Sequence, residues 1–593
     1  MSELILHHLL RHAERIPDRV AYTAPRDGRR ISVTWAEHVA AIRQTARAFV
    51  ALGLQPGETV GILGVTRPEW TMGCLAAQLA GGLPSGIYQT CSAEQIAYIA
   101  AHARNRLMVI ENEEQWRKVD AVRDRLTELR RVIIMKSSET PDDELALSWN
   151  DFLELGGDEN NPRESEVQSR LDALDPEDLG TLIYTSGTTG HPKAVMLTHA
   201  NLAETGRICV ELLKFTYDDS LVSYLPLAHV AEQNVSIHLP ARVGLTVHYA
   251  EAPELLLQTL QEVEPTFFFG VPRVWERFHA ALTGRLATAP GRQRALVDWA
   301  MGAVRDLHVE IDAGRRPRLG LRLRHTIADR LLAKIRKKIG FGRIRLATSG
   351  AAPIARDVLD FFAGLGTPIY EVWGLSETTG PATWNSPGRA KQGTVGPAIP
   401  DVEVELAEDG ELLVRGPNVF AGYYRDEAGT SEVLRDDGFF HTGDLGSIDE
   451  DGFVTITGRK KEILITSGGK NIAPAPIERR LKRIELVGDA MVVGDDRRFL
   501  GALLSLEEEA AARFANRHGL EPADLHHDPT VLAKLEKEID SVNQQLARVE
   551  SIRAFRVLPR RLSQQEGELT PTLKVKRGVV MERFRDLVEE MYS

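Results

Sequence analysis

Cysteine is scarce in this 593-residue chain: only Cys74, Cys91 and Cys209 are present. None forms a CxxC pair, which excludes a disulfide framework and a thiolate zinc site of the usual spacing. A reducing, cytoplasmic setting fits that usage. Long apolar runs are also missing. No stretch reaches about 18 consecutive apolar residues, so no membrane-spanning helix is expected and any membrane contact is peripheral. The N-terminal stretch MSELILHHLLRHAERIPDRV carries charges and histidines through its apolar part, the pattern of an amphipathic helix and not of a secretory leader. An excess of positive charge is lacking as well. Acidic residues number 84 against 72 lysines and arginines, for a net charge of −12, which argues against general nucleic-acid binding. Internal repeats and low-complexity tracts are absent.

What is present is a long, ordinary globular composition, 43% hydrophobic and 26% charged. The length exceeds what one core can fill, and two to four domains are expected. Short apolar runs alternate with helical patterns: TVGILGV (59–65), RLMVIE (106–111), RVIIMK (131–136), GTLIYTS (180–186), LVSYLPL (221–227), TVHYA (246–250), PTFFFGVP (265–272), IRLATSG (344–350) and PIYEVWG (368–374). That alternation predicts α/β architecture with mostly parallel sheets flanked by helices. Residues 281–343 read as helical and basic. Between Arg315 and Arg345, twelve lysines or arginines face the single acidic Asp329, a net of +11 that leaves −23 for the rest. From about 393 the texture turns β-rich, with Asp409-Gly410 and Asp451-Gly452 as hairpin turns. A smaller α+β segment follows about residue 460, ending in a charged helix. The domain boundary is expected at the charged GRKKE (458–462).

The stretch YTSGTTGHPKAV (184–195) packs four hydroxyls and two glycines into Thr185, Ser186, Gly187, Thr188, Thr189 and Gly190, with Lys193 three positions on. Glycines let backbone N–H groups turn inward, hydroxyls add donors without bulk, and the ammonium meets an anion as a point charge. The design suits a polyphosphate, although the Walker spacing is absent. By itself the loop also reads as a polar surface turn.

That segment resembles the phosphate loop of adenylate-forming enzymes, and further segments resemble the same superfamily in order along nearly the whole chain. SGAAP (349–353), with Gly350, Ala351 and Ala352, is similar to the turn that borders adenine. YEVWGLSETT (370–379) resembles the aromatic-Gly-x-[ST]-Glu motif. The resemblance gives Trp373, Gly374, Leu375 and Ser376 to the nucleotide, with Trp373 where the family usually has Tyr. It gives Glu377, with Thr185, to Mg2+. HTGDLG (441–446) implies Asp444 against the ribose, and GRKKE implies Arg459 on the nucleotide and Lys461 at the hinge. YLPLAHV (224–230) resembles the segment whose histidine, here His229, positions substrate or gates the thiol path, with a structural role open beside it. ELTPTLKVKR (568–577) is similar to the C-terminal catalytic segment. There Lys574 is implied as the adenylation lysine, with Lys576 two residues away as the alternative register. TSGGKNIAP (466–474), with Gly468, Gly469 and Lys470, matches the loop along the pantetheine path.

The resemblance therefore implies a large domain over 1–459, including the β-rich subdomain, and a small mobile α+β domain over 460–593. ATP and Mg2+ would activate an acid as acyl-AMP, and coenzyme A would accept the acyl group. SGIYQTCSAEQIAYI (85–99), FFFGVPRVWERF (267–278) and GRKKEILITSGGKNIAP resemble the long-chain fatty acyl-CoA synthetase branch, bubblegum-type members included. A fatty acid is then the expected substrate, with FFFGV lining an apolar tunnel or simply forming a buried strand. Three alternatives stay open: an acyl-AMP ligase that loads a carrier protein, an aryl or medium-chain CoA ligase, and an inactive binding scaffold. The basic run Arg315–Arg345 is open between anionic lipid, coenzyme A phosphates and a solvated face.

Overall fold

The computed structural model describes residues 3–136, 140–185, 191–312, 314–468, 470–521, 524–570 and 574–593. Two eight-stranded sheets organise the larger part. In the first, five parallel pairings join Leu179–Thr185, Leu83–Ile87, Thr59–Leu63, Asn105–Ile110, Arg131–Ile134 and Ala146–Ser148. Lys193–Thr198 and Gly422–Tyr423 close one edge in antiparallel fashion. Thr59–Leu63 is buried at every position. A parallel strand covered on both faces has no solvent side to alternate toward, and this is why TVGIL reads as an unbroken apolar run.

The second sheet runs Gly380–Trp384, Ile369–Leu375, Leu346–Ser349, Phe267–Gly270, Ser220–Ser223, Thr246–Tyr249, Val20–Arg26, Arg29–Thr34. Its inner pairings are parallel and both edge pairings antiparallel. The run LVSYLPL stops being strand at Ser223, earlier than expected, and Pro226, which has no N–H for a ladder, lies in the loop beyond. The hairpin Val20–Arg26/Arg29–Thr34 gave no recognised sequence signal. Phe267 and Phe268 are fully buried core residues, while Phe269 approaches Gly350.

A four-stranded antiparallel sheet follows: Glu403–Leu406, Glu411–Arg415, Phe440–Ile448 and Val454–Arg459. Its turns hold Asp409-Gly410 and Asp451-Gly452, as the sequence predicts, with both glycines at positive φ. Beyond it, Val487–Val493, Leu500–Leu506 and Ile552–Val557 form a three-stranded sheet against Pro474–Leu481 and Pro529–Asn543. Two apolar clusters here use residues from Leu464 onward, whereas the apolar clusters of the larger part stop at Ile456. The C-terminal charged helix is two short helices, Arg577–Arg583 and Arg585–Tyr592, interrupted at Phe584.

This architecture sets the site. Thr185, Ser349 and Leu375 each end a parallel strand at its carboxyl end. In open α/β sheets that edge is where ligands collect, because loops there are free of ladder pairing.

Candidate active site

Register assembles the phosphate-loop side. Thr185 pairs with Lys193 across the hairpin, and the Thr185 hydroxyl donates to the Lys193 carbonyl at 3.3 Å. Ser186, Gly187, Thr188, Thr189 and Gly190 lie outside the described residues. The Lys193 ammonium stands 4.4 Å from the Tyr423 ring centroid and 3.1 Å from Asp426 Oδ2. The lysine is thus held in place by a carboxylate partner. Tyr423 comes from the strand that pairs with Val195, and its hydroxyl donates to Glu377 Oε1 at 2.9 Å. Neither Tyr423 nor Asp426 was singled out from the sequence. Their contacts cross 46 to 233 positions, and the edge strand Gly422–Tyr423 brings them in.

Burial raises the pKa of Glu377, and no lysine or arginine ion-pairs with it among the described residues. Arg459 and Lys574 act on it only through space, so a buried carboxylate with no bonded counter-charge has room for a cation. Thr185 and Glu377 supply two protein oxygens at most, which fits Mg2+ that takes its remaining ligands from phosphates and water. Among the described residues, no group of three or more His, Cys, Asp or Glu gathers as a fuller metal site.

The nucleotide side rests on Asp444. Cross-strand register places it opposite Arg459, whose Nε lies 2.7 Å from Asp444 Oδ1. The Trp373 indole N–H donates to Asp444 Oδ2 at 2.8 Å. Trp373 is mostly buried and anchors the carboxylate, a contact that its assignment to the nucleotide did not anticipate. Gly374 is required at its place: a Cβ there would sit 1.7 Å from the Gly380 carbonyl oxygen. Gly350 is buried against Val372, while Ala351 and Ala352 are exposed. Ala351 adopts a φ of 69°, a left-handed conformation that a residue with a Cβ rarely holds. Leu375 and Ser376 flank Glu377 in the turn leaving the strand, where the Thr378 hydroxyl accepts from the Leu375 N–H.

Lys574 reaches this site from the C-terminal part. Its backbone is fixed to Thr570, whose N–H donates to the Lys574 carbonyl at 2.8 Å and whose hydroxyl accepts the Lys574 N–H at 3.0 Å. The side chain is open to water, yet protein groups crowd it. That crowding first, and then Arg459, pull its pKa below the ordinary lysine value, while Asp444, Glu462 and Glu377 oppose. Those charges put Lys574 within electrostatic reach of the site carboxylates. His229 caps the short helix Val230–Gln233, and its Nδ1 accepts the Ala231 N–H at 3.2 Å. Burial, helped by the nearby Lys574 charge, lowers its pKa to about 4. At neutral pH the ring is therefore uncharged, with its proton on Nε2. Glu232, one turn of chain further, is a buried carboxyl lifted to about 7 by desolvation and held by the Ser223 and Ser236 hydroxyls at 2.6 and 2.7 Å. Sequence reading missed it.

Gly468 and Lys470 lie exposed in the turn between Leu464–Ile465 and Asn471–Ile472, where Lys470 N–H donates to the Thr466 hydroxyl. Gly469 lies outside the described residues. One described contact ties the two parts of the chain together away from the site: Arg273, on the helix Pro272–Ala287, lies 3.2 Å from the buried Asp489.

The described site thus offers the strand-end Thr185 and Lys193, the buried Glu377, the anchored Asp444 and a lysine from the C-terminal part. The family described as "AMP-binding enzyme" matches residues 9–424, its "AMP-binding enzyme C-terminal domain" matches residues 461–593, and the chain belongs to that family. It is 39% identical over 592 residues to the long-chain-fatty-acid–CoA ligase FadD15 of Mycobacterium bovis, covering 98% of this chain and 96% of the relative. It is 33% identical to the long-chain-fatty-acid–CoA ligase ACSBG2 of Xenopus laevis, covering 100% of this chain and 84% of the relative. In fold it is similar to the anthranilate CoA ligase AuaEII in complex with anthranoyl-AMP, with a TM-score of 0.72, 19% identity, and coverage of 99% and 98%. It is similar also to ATP-bound MatB from Rhodopseudomonas palustris, with a TM-score of 0.70, 24% identity, and coverage of 99% and 100%.

Proposed function

We propose that this enzyme is a long-chain fatty acid–CoA ligase that converts a fatty acid, ATP and coenzyme A into acyl-CoA, AMP and pyrophosphate. The observation that carries the reading is that Lys574, from the C-terminal part, lies within electrostatic reach of the Asp444 and Glu377 carboxylates, with Asp444 anchored by Trp373 and Arg459. Full-length similarity to ligases named for long-chain fatty acids supports the substrate class.

In the first step a carboxylate oxygen attacks the α-phosphorus of ATP. The bond to the β-phosphate oxygen breaks, and pyrophosphate leaves. Thr185 and Glu377 would hold Mg2+, which, when bound, neutralises phosphate charge. Lys193, released from Asp426, together with the hydroxyls and glycines from Thr185 to Gly190, holds the β- and γ-phosphates. Asp444, fixed by Trp373 and Arg459, retains lone pairs to accept the ribose hydroxyls. Gly350, Ala351 and Ala352 border the adenine. Lys574 bridges the substrate carboxylate and the α-phosphate as charge develops. In the second step the thiol sulfur attacks the acyl carbon and AMP departs. We assign residues 460–593 to a small domain that rotates near Lys461 between the steps. That rotation withdraws Lys574 and brings Gly468, Gly469 and Lys470 to the pantetheine path. Neutral His229 positions the acyl group without adding charge.

The test is AMP formation from ATP with and without coenzyme A across acetate, octanoate, palmitate, oleate and a cinnamate. CoA-dependent turnover peaking at palmitate or oleate is expected. A peak at acetate or cinnamate overturns the substrate, and pyrophosphate release without acyl-CoA points to a carrier-protein acceptor.

A further inference from the structure

The basic run carries more than charge. Its helix, Leu319–Lys338, is 20 residues long, about 30 Å, and packs on the molecule through Ala328 and Leu332. On the opposite face Leu319 is 83% exposed, Leu323 67%, Ile327 51% and Leu331 41%. These four stand four residues apart, so they form one stripe along the outer face. Helical spacing puts Arg330 and Lys334 on that same stripe. The adjoining helix Gly291–Asp312 adds the exposed Trp299, with the Arg324 guanidinium 5.7 Å from its ring.

Charge and apolar surface coincide here without compensation. The helix carries one acidic residue, Asp329, and Arg336 occupies it at 2.8 Å. Arg324 and Arg315 have acidic partners, Asp306 and Glu310. Among the described residues Arg316, Arg318, Arg322, Arg330, Lys334 and Lys337 have none. Solvated helices interleave charges of both signs and keep leucines inward, so this face departs from that rule on both counts. A protein partner would offer fixed pockets for the leucines and fixed carboxylates for the bases. A bilayer surface offers both everywhere along 30 Å, with anionic headgroups above acyl chains, and a stripe mixing leucine with arginine and lysine over four turns matches that continuous boundary.

We propose that the face Leu319–Lys338 docks the enzyme on anionic phospholipid bilayers, lying in the plane of the interface with its leucines among the upper acyl chains. The docking deepens the proposed function, since it would set the enzyme beside an apolar phase, but its test needs neither ATP nor an acid and so stands or falls separately.

Flotation of the full-length protein is measured with vesicles of phosphatidylcholine alone and of phosphatidylcholine mixed with phosphatidylglycerol. Wild type is expected to float with the anionic vesicles, to stay down with the neutral ones, and to weaken as salt rises. The triple variant R322E/R330E/K334E should lose affinity for anionic vesicles by on the order of 10²-fold or more, since removing three basic charges at about 1 kcal/mol each already gives that factor and the added carboxylates are repelled. The variant L319S/L323S/I327S should lose about tenfold or more while keeping whatever weak affinity for polyglutamate wild type is measured to have, because its charges are unchanged. All six positions are exposed, so unchanged melting and unchanged turnover on a soluble short acid are expected of both. Failure of wild type to float with anionic vesicles overturns the proposal, and so does flotation indifferent to both variants. Flotation lost on charge reversal but retained by the serine variant overturns it in favour of a polyanion-binding face.

Discussion

The two halves of the site are built differently. On the side of the large domain, Asp444 is buried, receives the Trp373 indole and faces Arg459, while Glu377 is tied to Tyr423. Both carboxylates there are held by a side chain that a strand supplies, Trp373 and Arg459 for Asp444 and Tyr423 for Glu377. On the other side Lys574 is carried by a short hairpin closed by backbone bonds, Thr570 with Lys574 and Glu568 with Lys576, and its side chain is open to water and has no side-chain hydrogen bond holding it among the described residues. The first half is preorganised for binding the nucleotide. In the proposed mechanism the second half brings one charge to the place where charge develops and withdraws it between the steps. The difference teaches that binding and chemistry are separable in this fold, so substitutions on the two sides should fail differently.

The largest effect on the fixed side is expected at Glu377. Glu377→Ala should reduce adenylation on the order of 10²-fold or more, as for loss of an electrostatic stabiliser, and should raise the Mg2+ concentration needed for half-maximal rate. Pyrophosphate exchange measured over a Mg2+ titration checks both. Trp373→Phe keeps an aromatic face but removes the donor to Asp444. About a tenfold rise in KM for ATP is expected with kcat little changed, as befits loss of one hydrogen bond to a charged group. An equal fall in kcat would move Trp373 from binding to chemistry. Arg273→Ala breaks the pair with Asp489, which keeps Ser505 and Arg561 nearby. Because Arg273 is partly exposed, only a two- to fivefold loss is expected, roughly 1 kcal/mol or less. It should fall on adenylation and spare thioester formation from supplied acyl-AMP.

Stability should respond to acid. Burial holds His12, His38, His199, His229, His248 and His308 to a pKa of about 4, and His238 to about 3, against an ordinary 6.5. Between pH 6.5 and 4 the unfolded chain binds protons that the folded one refuses, so stability falls as pH falls through that window. Glu232 and Glu371, raised to about 7, and Asp312, raised to about 6, work in the opposite direction but are fewer. Melting temperature should therefore drop on acidification from about pH 6.5 to 4, with proton uptake on unfolding by calorimetry in two buffers.

Much of the fold is legible because parallel strands buried on both faces declare themselves locally. TVGIL, NRLMVI and LGTLIYT lie within a residue or two of their sequence boundaries. The motif residues are equally local, since Thr185, Glu377, Asp444 and Lys574 each sit in a short pattern. Their support is not legible. Trp373 to Asp444, Tyr423 to Glu377, Lys193 to Asp426 and Arg273 to Asp489 join residues 46 to 233 positions apart, through register and strand order that no short window contains. The outer stripe of Leu319–Lys338 was half legible. Its charge stood out in the sequence, but whether its leucines faced in or out depended on which neighbour covered them.

The division between a fixed nucleotide side and a delivered lysine is tested most directly with Lys574→Ala, assayed on two substrates. Acyl-CoA formation is measured from palmitate, ATP and coenzyme A, and separately from synthetic palmitoyl-AMP and coenzyme A. The account predicts that the first rate falls on the order of 10²-fold or more while the second stays within a fewfold of wild type. Equal loss in both would contradict it, because Lys574 would then serve the site as a whole and not the step that forms the adenylate.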